Sequence, residues 1–183
     1  MTAQEYLNRG EEHFNKDDFD RAIADFTEAL RLEPNLTLAK SHLHTVYYNR
    51  GIANYQNGNN DMAIADLSEA VKFNSNPDDA TVYGARGMIY DEIGNHDGVI
   101  NDFTEVIRIA PSDDAYIFRG GAYHGKCKEC RAAGDKSKFF EYIDMAIKDY
   151  EAALQIAPAN ETYRKMLELL ISERENRKKV YSA

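Results

Sequence analysis

The string Tyr-x-x-Arg-Gly occurs four times along the chain and constrains its fold more than any other feature. Its successive glycines are 41, 36 and 33 residues apart. Intervals of this length indicate one structural unit that is repeated with small insertions. The four copies are Tyr6/Arg9/Gly10, Tyr47/Arg50/Gly51, Tyr83/Arg86/Gly87 and Tyr116/Arg119/Gly120.

A second apolar pattern follows each string, with residues at positions i, i+1, i+4, i+7 and i+8. This spacing forms one face of an α-helix and cannot form one face of a strand. Three of the patterns lead to a proline that ends the helix, whereas the second reaches the looser sequence Asn74-Ser75-Asn76-Pro77. The patterns start at Ala22, Ala63, Val99 and Ala146, and the three prolines are Pro34, Pro111 and Pro158.

Two helices in about 34 residues, with small residues at their crossing and a terminal proline, resemble the tetratricopeptide repeat family. The chain departs from the family pattern where Arg replaces the aliphatic residue that commonly precedes the Gly. The resemblance covers about residues 2–158 and implies an all-α, right-handed α-solenoid of four helical hairpins plus a C-terminal capping helix. The implied single domain, 1–183, has repeats at about 3–36, 44–77, 80–112 and 113–158, an insertion near 125–140 and a capping helix at 160–180.

Both ends of the chain carry helix signals. Thr2 and Glu5 have the spacing of a capping box that opens the first helix. The last hairpin needs a cover because a repeat cannot bury its apolar face alone. We expect the capping helix to bury Tyr163, Leu167, Leu170 and Ile171 and to turn the charged run from Arg174 to Lys179 towards water.

The charge balance limits the class of partner. The chain has 22 basic and 31 acidic residues, a formal net charge of −9, which argues against nucleic acids and anionic membranes. No apolar run approaches the length of about 18 residues that a membrane span needs, and no basic and apolar leader opens the sequence. We therefore expect a cytoplasmic protein that uses no cofactor.

The repeated arginines have equally regular acidic counterparts, one in each second helix. We predict a ladder of ion pairs in which a planar guanidinium holds a partly buried carboxylate. The sequence leaves open whether each Arg acts within its own hairpin or reaches the next, and an anion-binding row of arginines is the alternative. The predicted pairs are Arg9 with Asp25, Arg50 with Asp66, Arg86 with Asp102, and Arg119 with Asp149.

The resemblance implies a concave groove lined by the first helix of each hairpin. Its lining is apolar and aromatic in the first half and acidic at the edges, which favours a peptide or helix with apolar anchors and some basic character. The alternative for some of these side chains is a shared core between repeats. The groove residues are Leu7, Glu11, Phe14, Tyr48, Asn49, Ile52, Tyr55, Met88, Asp91 and Phe118.

One function of the family is contradicted by these residues. Family members that hold the acidic tails of heat-shock chaperones use a clamp of Lys, Asn and Arg. Of the matching positions only Asn49 agrees, and Glu11 places an acid where a carboxylate would dock. We therefore do not expect those tails as ligands.

Two insertions interrupt the regular period. The extra residues 35–41 either lengthen the next helix or form a loop. The larger insertion near 125–140 keeps Arg119 and Asp149 in phase if it adds about two turns to each helix, with a turn near Gly134.

The insertion also contains the only hint of chemistry, His124-x-x-Cys127-x-x-Cys130. A structural zinc site needs four ligands, and a single Cys-x-x-Cys supplies two, so ordinary thiols are the preferred interpretation. We therefore predict a non-enzymatic adaptor or scaffold that binds a partner protein in its groove. The alternatives are a secretion-type chaperone for an apolar client segment, or a metal or thiol site at these three residues.

Overall fold

The computed structural model describes residues 1–74, 76 and 78–182, and within these ranges the chain forms nine helices and no strand. The all-α class expected from the helical periodicity is confirmed. The chain divides into two compact units, Met1–Ile89 and Tyr90–Ala183. The single-domain organisation stays a prediction, and the expected helix stop at Ser75 and Pro77 lies outside the described residues.

The helices have the following bounds. The first unit contains α1 (Ala3–Phe14), α2 (Phe19–Leu32), α3 (Thr37–Gln56), α4 (Asn60–Phe73) and most of α5 (Thr81–Glu92). The second unit contains α6 (His96–Ile109), α7 (Asp113–Ala133), α8 (Lys136–Ile156) and α9 (Glu161–Ser182).

Local sequence signals set the ends of these helices. Thr2 and Glu5 form the predicted capping box, in which the Thr2 hydroxyl accepts from the Glu5 N–H and the Glu5 carboxylate accepts from the Thr2 N–H. Three helices end two residues before a proline, because proline lacks the N–H that would continue the helix. These are α2, α6 and α8, which precede Pro34, Pro111 and Pro158.

The core of the first unit lies between the two helices of each hairpin and between neighbouring hairpins. Gly10 of α1 allows close packing on α2, since a Cβ at this position would lie 2.6 Å from the fully buried ring of Phe26. Leu67 of α4 packs with Val82 and Ile89 of α5. The glycine of the first string therefore lies where α1 and α2 pack closely.

The short insertion before the second string lengthens a helix and forms no separate loop. α3 has 20 residues, against 12 in α1, and starts at Thr37. The added turns place His42 on the core, where its ring stacks on Phe26 with centroids 4.8 Å apart.

The long insertion extends both helices of the last hairpin. α7 and α8 have 21 residues each, against 14 in α6, and Gly134 ends α7 in the left-handed conformation with φ 74°. Phe139 and Ile143 of α8 are fully buried and pack with Cys127 and Cys130 of α7. The extension therefore has its own apolar core.

α9 packs on this extended hairpin. Leu170 is fully buried, and Tyr163 and Leu167 are partly buried against the same cluster. The expectation for Ile171 is wrong, because its side chain is 42% exposed. Arg174, expected to face water, donates from Nε to Asp144 of α8 at 2.5 Å.

Candidate functional site

Arg9, Arg50 and Arg119 each bind an aspartate of their own hairpin. Arg50 Nε and Nη2 donate to the two carboxylate oxygens of Asp66 at 3.0 and 2.6 Å. Arg119 binds Asp149 in the same bidentate way at 2.9 and 2.7 Å, and Arg9 binds Asp25. Two parallel charge-assisted hydrogen bonds fix the orientation of both side chains. The predicted pair of Arg86 with Asp102 joins residues of different units and stays a prediction.

The remaining guanidinium nitrogen reaches the second helix of the preceding hairpin. Arg50 Nη1 donates to Asp20 of α2 at 2.5 Å, and Arg86 Nη1 donates to the Ser68 hydroxyl of α4 at 2.9 Å. Arg119 Nη1 donates to the Thr104 hydroxyl of α6 at 3.2 Å. An Arg therefore joins both helices of its hairpin to the previous one, a connection that the sequence left open.

The tyrosine of the string lies one helical turn before its arginine and covers it. The guanidinium carbons of Arg9 and Arg50 lie 5.3 and 5.5 Å from the ring centroids of Tyr6 and Tyr47. At this distance a cation is attracted by the face of an aromatic ring. The donors of Arg50 and Arg119 are engaged inside the protein, which disfavours the alternative of an anion-binding row.

The α1 residues predicted to line the groove mostly contact other residues of the first unit. Leu7 is 1% exposed and packs with α2, so the expectation that it contacts a partner is wrong. From helical periodicity alone, Leu7 fits a groove-lining position and a core position equally well. The packing of α1 on α2 places it in the core. Phe14 is partly buried against Phe19, with ring centroids 6.3 Å apart. The Glu11 carboxylate accepts a hydrogen bond from His42 Nε2 at 2.9 Å.

The α3 residues of the predicted groove are more accessible. Tyr48 packs against the α4–α5 cluster and is partly buried, as are Asn49 and Ile52. Tyr55 is 36% exposed, and Met88 of α5 is 54% exposed. Tyr48, Ile52 and Tyr55 follow the spacing i, i+4, i+7, so they share one helix face.

Two predicted groove residues belong to the second unit. Asp91 is exposed. Phe118 of α7 is partly buried and stacks on Phe103 of α6, with ring centroids 4.7 Å apart and nearly parallel planes. Phe118 therefore contributes to the packing of α6 on α7, and only its uncovered part faces outwards.

The three residues of the His-x-x-Cys-x-x-Cys string have separate environments. Cys127 is fully buried, and burial raises the pKa of its thiol to about 12, so it stays protonated at neutral pH. Cys130 is 7% exposed, burial raises the pKa of its thiol too, and the two cysteines form no disulfide. His124 Nε2 donates to Glu173 of α9 at 3.0 Å. In the described ranges, no three His, Cys, Asp or Glu side chains cluster as metal ligands.

One charged feature was not anticipated from the sequence. A cleft of about 570 Å³ lies between α7 and α9, and it is lined by His124, Lys128 and Arg131 on one side and by Glu173 and Arg177 on the other. The only available signal is the spacing of the α7 residues, which places them on one helix face. Arg177 lies about 50 residues after Lys128, and residue spacing does not show that α9 packs beside α7.

No helix among the described residues combines the length and the low polarity that crossing a bilayer requires.

Solved structures of similar fold span most of this chain. The structure titled "MamA 41-end from Desulfovibrio magneticus RS-1" shares 19% identity and covers 98% of this chain and 89% of its own, with a TM-score of 0.55. The Arabidopsis OM64 TPR domain shares 23% identity and covers 69% and 93%, with a TM-score of 0.53. The first TPR domain of human RPAP3 shares 20% identity and covers 74% and 97%, also with a TM-score of 0.53. At these identities the likeness concerns the fold.

The sequence itself carries the family assignment. No curated protein sequence matches the chain significantly. Two tetratricopeptide repeat profiles match residues 3–36 and 48–114, which together make up more than half of the chain. Proteins of this family generally mediate protein–protein interactions, and their repeat scaffolds are typically non-enzymatic. The chain has the all-α solenoid fold of these repeats, and it belongs to the tetratricopeptide repeat family.

Proposed function

We propose that the chain is a cytoplasmic, non-enzymatic adaptor that binds a peptide or helix of a partner protein on the faces of its first helices. The observation that carries this proposal is the apolar face of α3, which ends in the exposed Tyr55. Aromatic side chains provide much of the binding energy at protein interfaces, because they bury a large area at a small entropic cost.

The contacts within the first unit narrow the surface. Leu7 lies in the core, so the docking face consists of Tyr48, Ile52 and Tyr55 of α3, with Met88 of α5 as a further exposed apolar side chain. A flexible Met adapts to the shape of different apolar guests. We propose that the partner offers apolar anchors to this face.

The charge of the partner has less support than its apolar character. Glu11, one of the acids expected to attract a basic guest, already accepts a hydrogen bond from His42. Because His42 occupies one of its oxygens, Glu11 attracts the cation of a partner less strongly than a free carboxylate does. The proposed partner is therefore defined first by apolar side chains and second by basic ones. Nucleic acids, membranes and the acidic tails of heat-shock chaperones stay outside the proposal, which also assigns no cofactor.

The test compares partner capture by the wild-type protein and by surface variants. The triple variant Tyr48→Ala/Ile52→Ala/Tyr55→Ala removes the α3 face. Because Tyr48 also packs on the core, the double variant Ile52→Ala/Tyr55→Ala is measured beside it. Proteins retained from native cell extract by wild type are expected to be lost with both variants.

The matched control for the triple variant removes three apolar side chains elsewhere in the first unit. Leu32, Leu38 and Met62 are 41%, 49% and 59% exposed, and their replacement by Ala is expected to leave capture unchanged. Thermal melting verifies that each variant is folded. Partners that bind all folded variants equally would disprove a docking role for the α3 face.

A further inference from the structure

The cleft between α7 and α9 has a charge opposite to that of the whole protein. The chain carries a formal net charge of −9, yet Lys128, Arg131 and Arg177 all line this one cleft. All of these residues belong to the second unit, so the cleft is independent of the α3 face.

The internal contacts of the cleft leave part of this positive charge available. Glu173, the one carboxylate in the lining, accepts from His124 Nε2 at 3.0 Å and from Arg131 Nη1 at 3.5 Å. Its charge is therefore already compensated. Lys128 and Arg177 form no ion pair with any residue in the described ranges. The cleft thus presents two cations that no carboxylate of the described residues neutralises.

Apolar side chains border the same cleft. Leu169 and Val180 of α9 are 53% and 61% exposed, although both line the depression. They lie about three helical turns apart, so a bound segment of similar length could contact both. A cleft with cations inside and apolar side chains at its edges matches a peptide that combines acidic and apolar residues.

We propose that the α7–α9 cleft binds an acidic segment of a partner protein, in which Asp or Glu side chains alternate with aliphatic ones. The carboxylates pair with Lys128 and Arg177, and the aliphatic side chains cover Leu169 and Val180. A peptide is favoured over an anionic membrane because the cations lie in a cleft between two helices, while the rest of the acidic surface repels a negatively charged bilayer.

The probe is a fluorescein-labelled peptide built from repeated Asp-Leu-Glu units, and binding is measured by fluorescence anisotropy at low salt. We expect saturable binding that weakens as salt is added, because ions screen the charge pairs. The variant Lys128→Glu/Arg177→Glu is expected to weaken binding at least about tenfold, which corresponds to about 1.4 kcal/mol. Peptides built from Asp-Ser-Glu or Lys-Leu-Lys units test the need for the aliphatic and the acidic side chains, and both are expected to bind more weakly.

The matched control makes the same change in net charge at two residues outside the cleft lining. Lys16 and Lys148 are exposed and do not line it, so Lys16→Glu/Lys148→Glu is expected to change the affinity less than about twofold. Equal losses in both variants would show a general charge effect and overturn the proposal. It is overturned as well if vesicles with phosphatidylserine bind where the peptide does not. The α3 variant Ile52→Ala/Tyr55→Ala separates the two sites, since it should leave binding of the acidic peptide intact.

Discussion

Arg50 and Asp66, 16 residues apart and on different helices, form a bidentate ion pair in which the carboxylate is almost fully buried. Asn54 adds a third donor to Asp66 at 2.9 Å, and the last nitrogen of Arg50 reaches Asp20 of the preceding hairpin. The string that defines the repeat thus contains the residue that joins one repeat to the next.

This geometry predicts strong coupling in a double-mutant cycle. Arg50→Ala leaves the buried Asp66 with one neutral donor, and Asp66→Ala leaves the guanidinium with Asp20 alone. We expect each change to lower the free energy of unfolding by about 2–4 kcal/mol, and the double variant to cost much less than the sum. Urea unfolding measures the three values. Additive losses would contradict the pairing. The control is Arg31→Ala, which removes the exposed ion pair with Glu28 and is expected to cost less than about 0.5 kcal/mol.

Two helical glycines should respond oppositely to alanine. Gly10→Ala places a methyl group 2.6 Å from the buried Phe26 ring, so we expect a loss of about 1–3 kcal/mol despite the better helix propensity of Ala. Gly121→Ala meets no atom within 4 Å, so it should gain up to about 1 kcal/mol. Chemical denaturation compares them. A stabilised Gly10→Ala protein would show that α1 and α2 can move apart at little cost.

The buried thiols should be unreactive in the folded protein. Cys127 is fully buried and its thiol donates towards the carbonyl oxygen of Phe139, at 3.7 Å. Because thiolates react and protonated thiols do not, Ellman's reagent should modify Cys127 at pH 8 only after unfolding. Cys130, which is 7% exposed, should react slowly. Cys127→Ala and Cys130→Ala assign each reaction, and rapid modification of Cys127 in the native protein would contradict its burial.

The raised pKa of Cys127 also predicts a loss of stability in alkali. An unfolded thiol ionises near pH 8.5, whereas the folded one has a pKa of about 12. Below pH 8.5 both states keep the proton and the full stability is present. Above it the unfolded state alone releases the proton, so the free energy of unfolding falls by up to about 1.4 kcal/mol per pH unit until the folded pKa is reached. Burial also raises the pKa of tyrosines such as Tyr150. The measurement is therefore the difference in slope between wild type and Cys127→Ala from pH 8.5 to 10. Equal slopes would contradict the shift.

Groove-lining residues and core residues of a repeat helix recur with the same helical period of about 3.6 residues. Leu7 and Tyr55 therefore fit equally well into one predicted surface. The structure separates them, because Leu7 lies under α2 while Tyr55 lies at the end of α3. The predicted burial of Ile171 was wrong for a related reason. The four apolar residues of α9 cover a wider face of the helix than the part that contacts the hairpin.

The sequence by itself determined the repeat, the class of helices, their ends and the partners of Arg9, Arg50 and Arg119, because helical periodicity, proline stops and matched charges are local or recur at fixed intervals. Only the tertiary structure decided which apolar residues stay accessible, how each Arg reaches the preceding hairpin, and that α7 and α9 enclose a basic cleft. These features depend on how helices distant in sequence cross, and no residue spacing specifies that crossing.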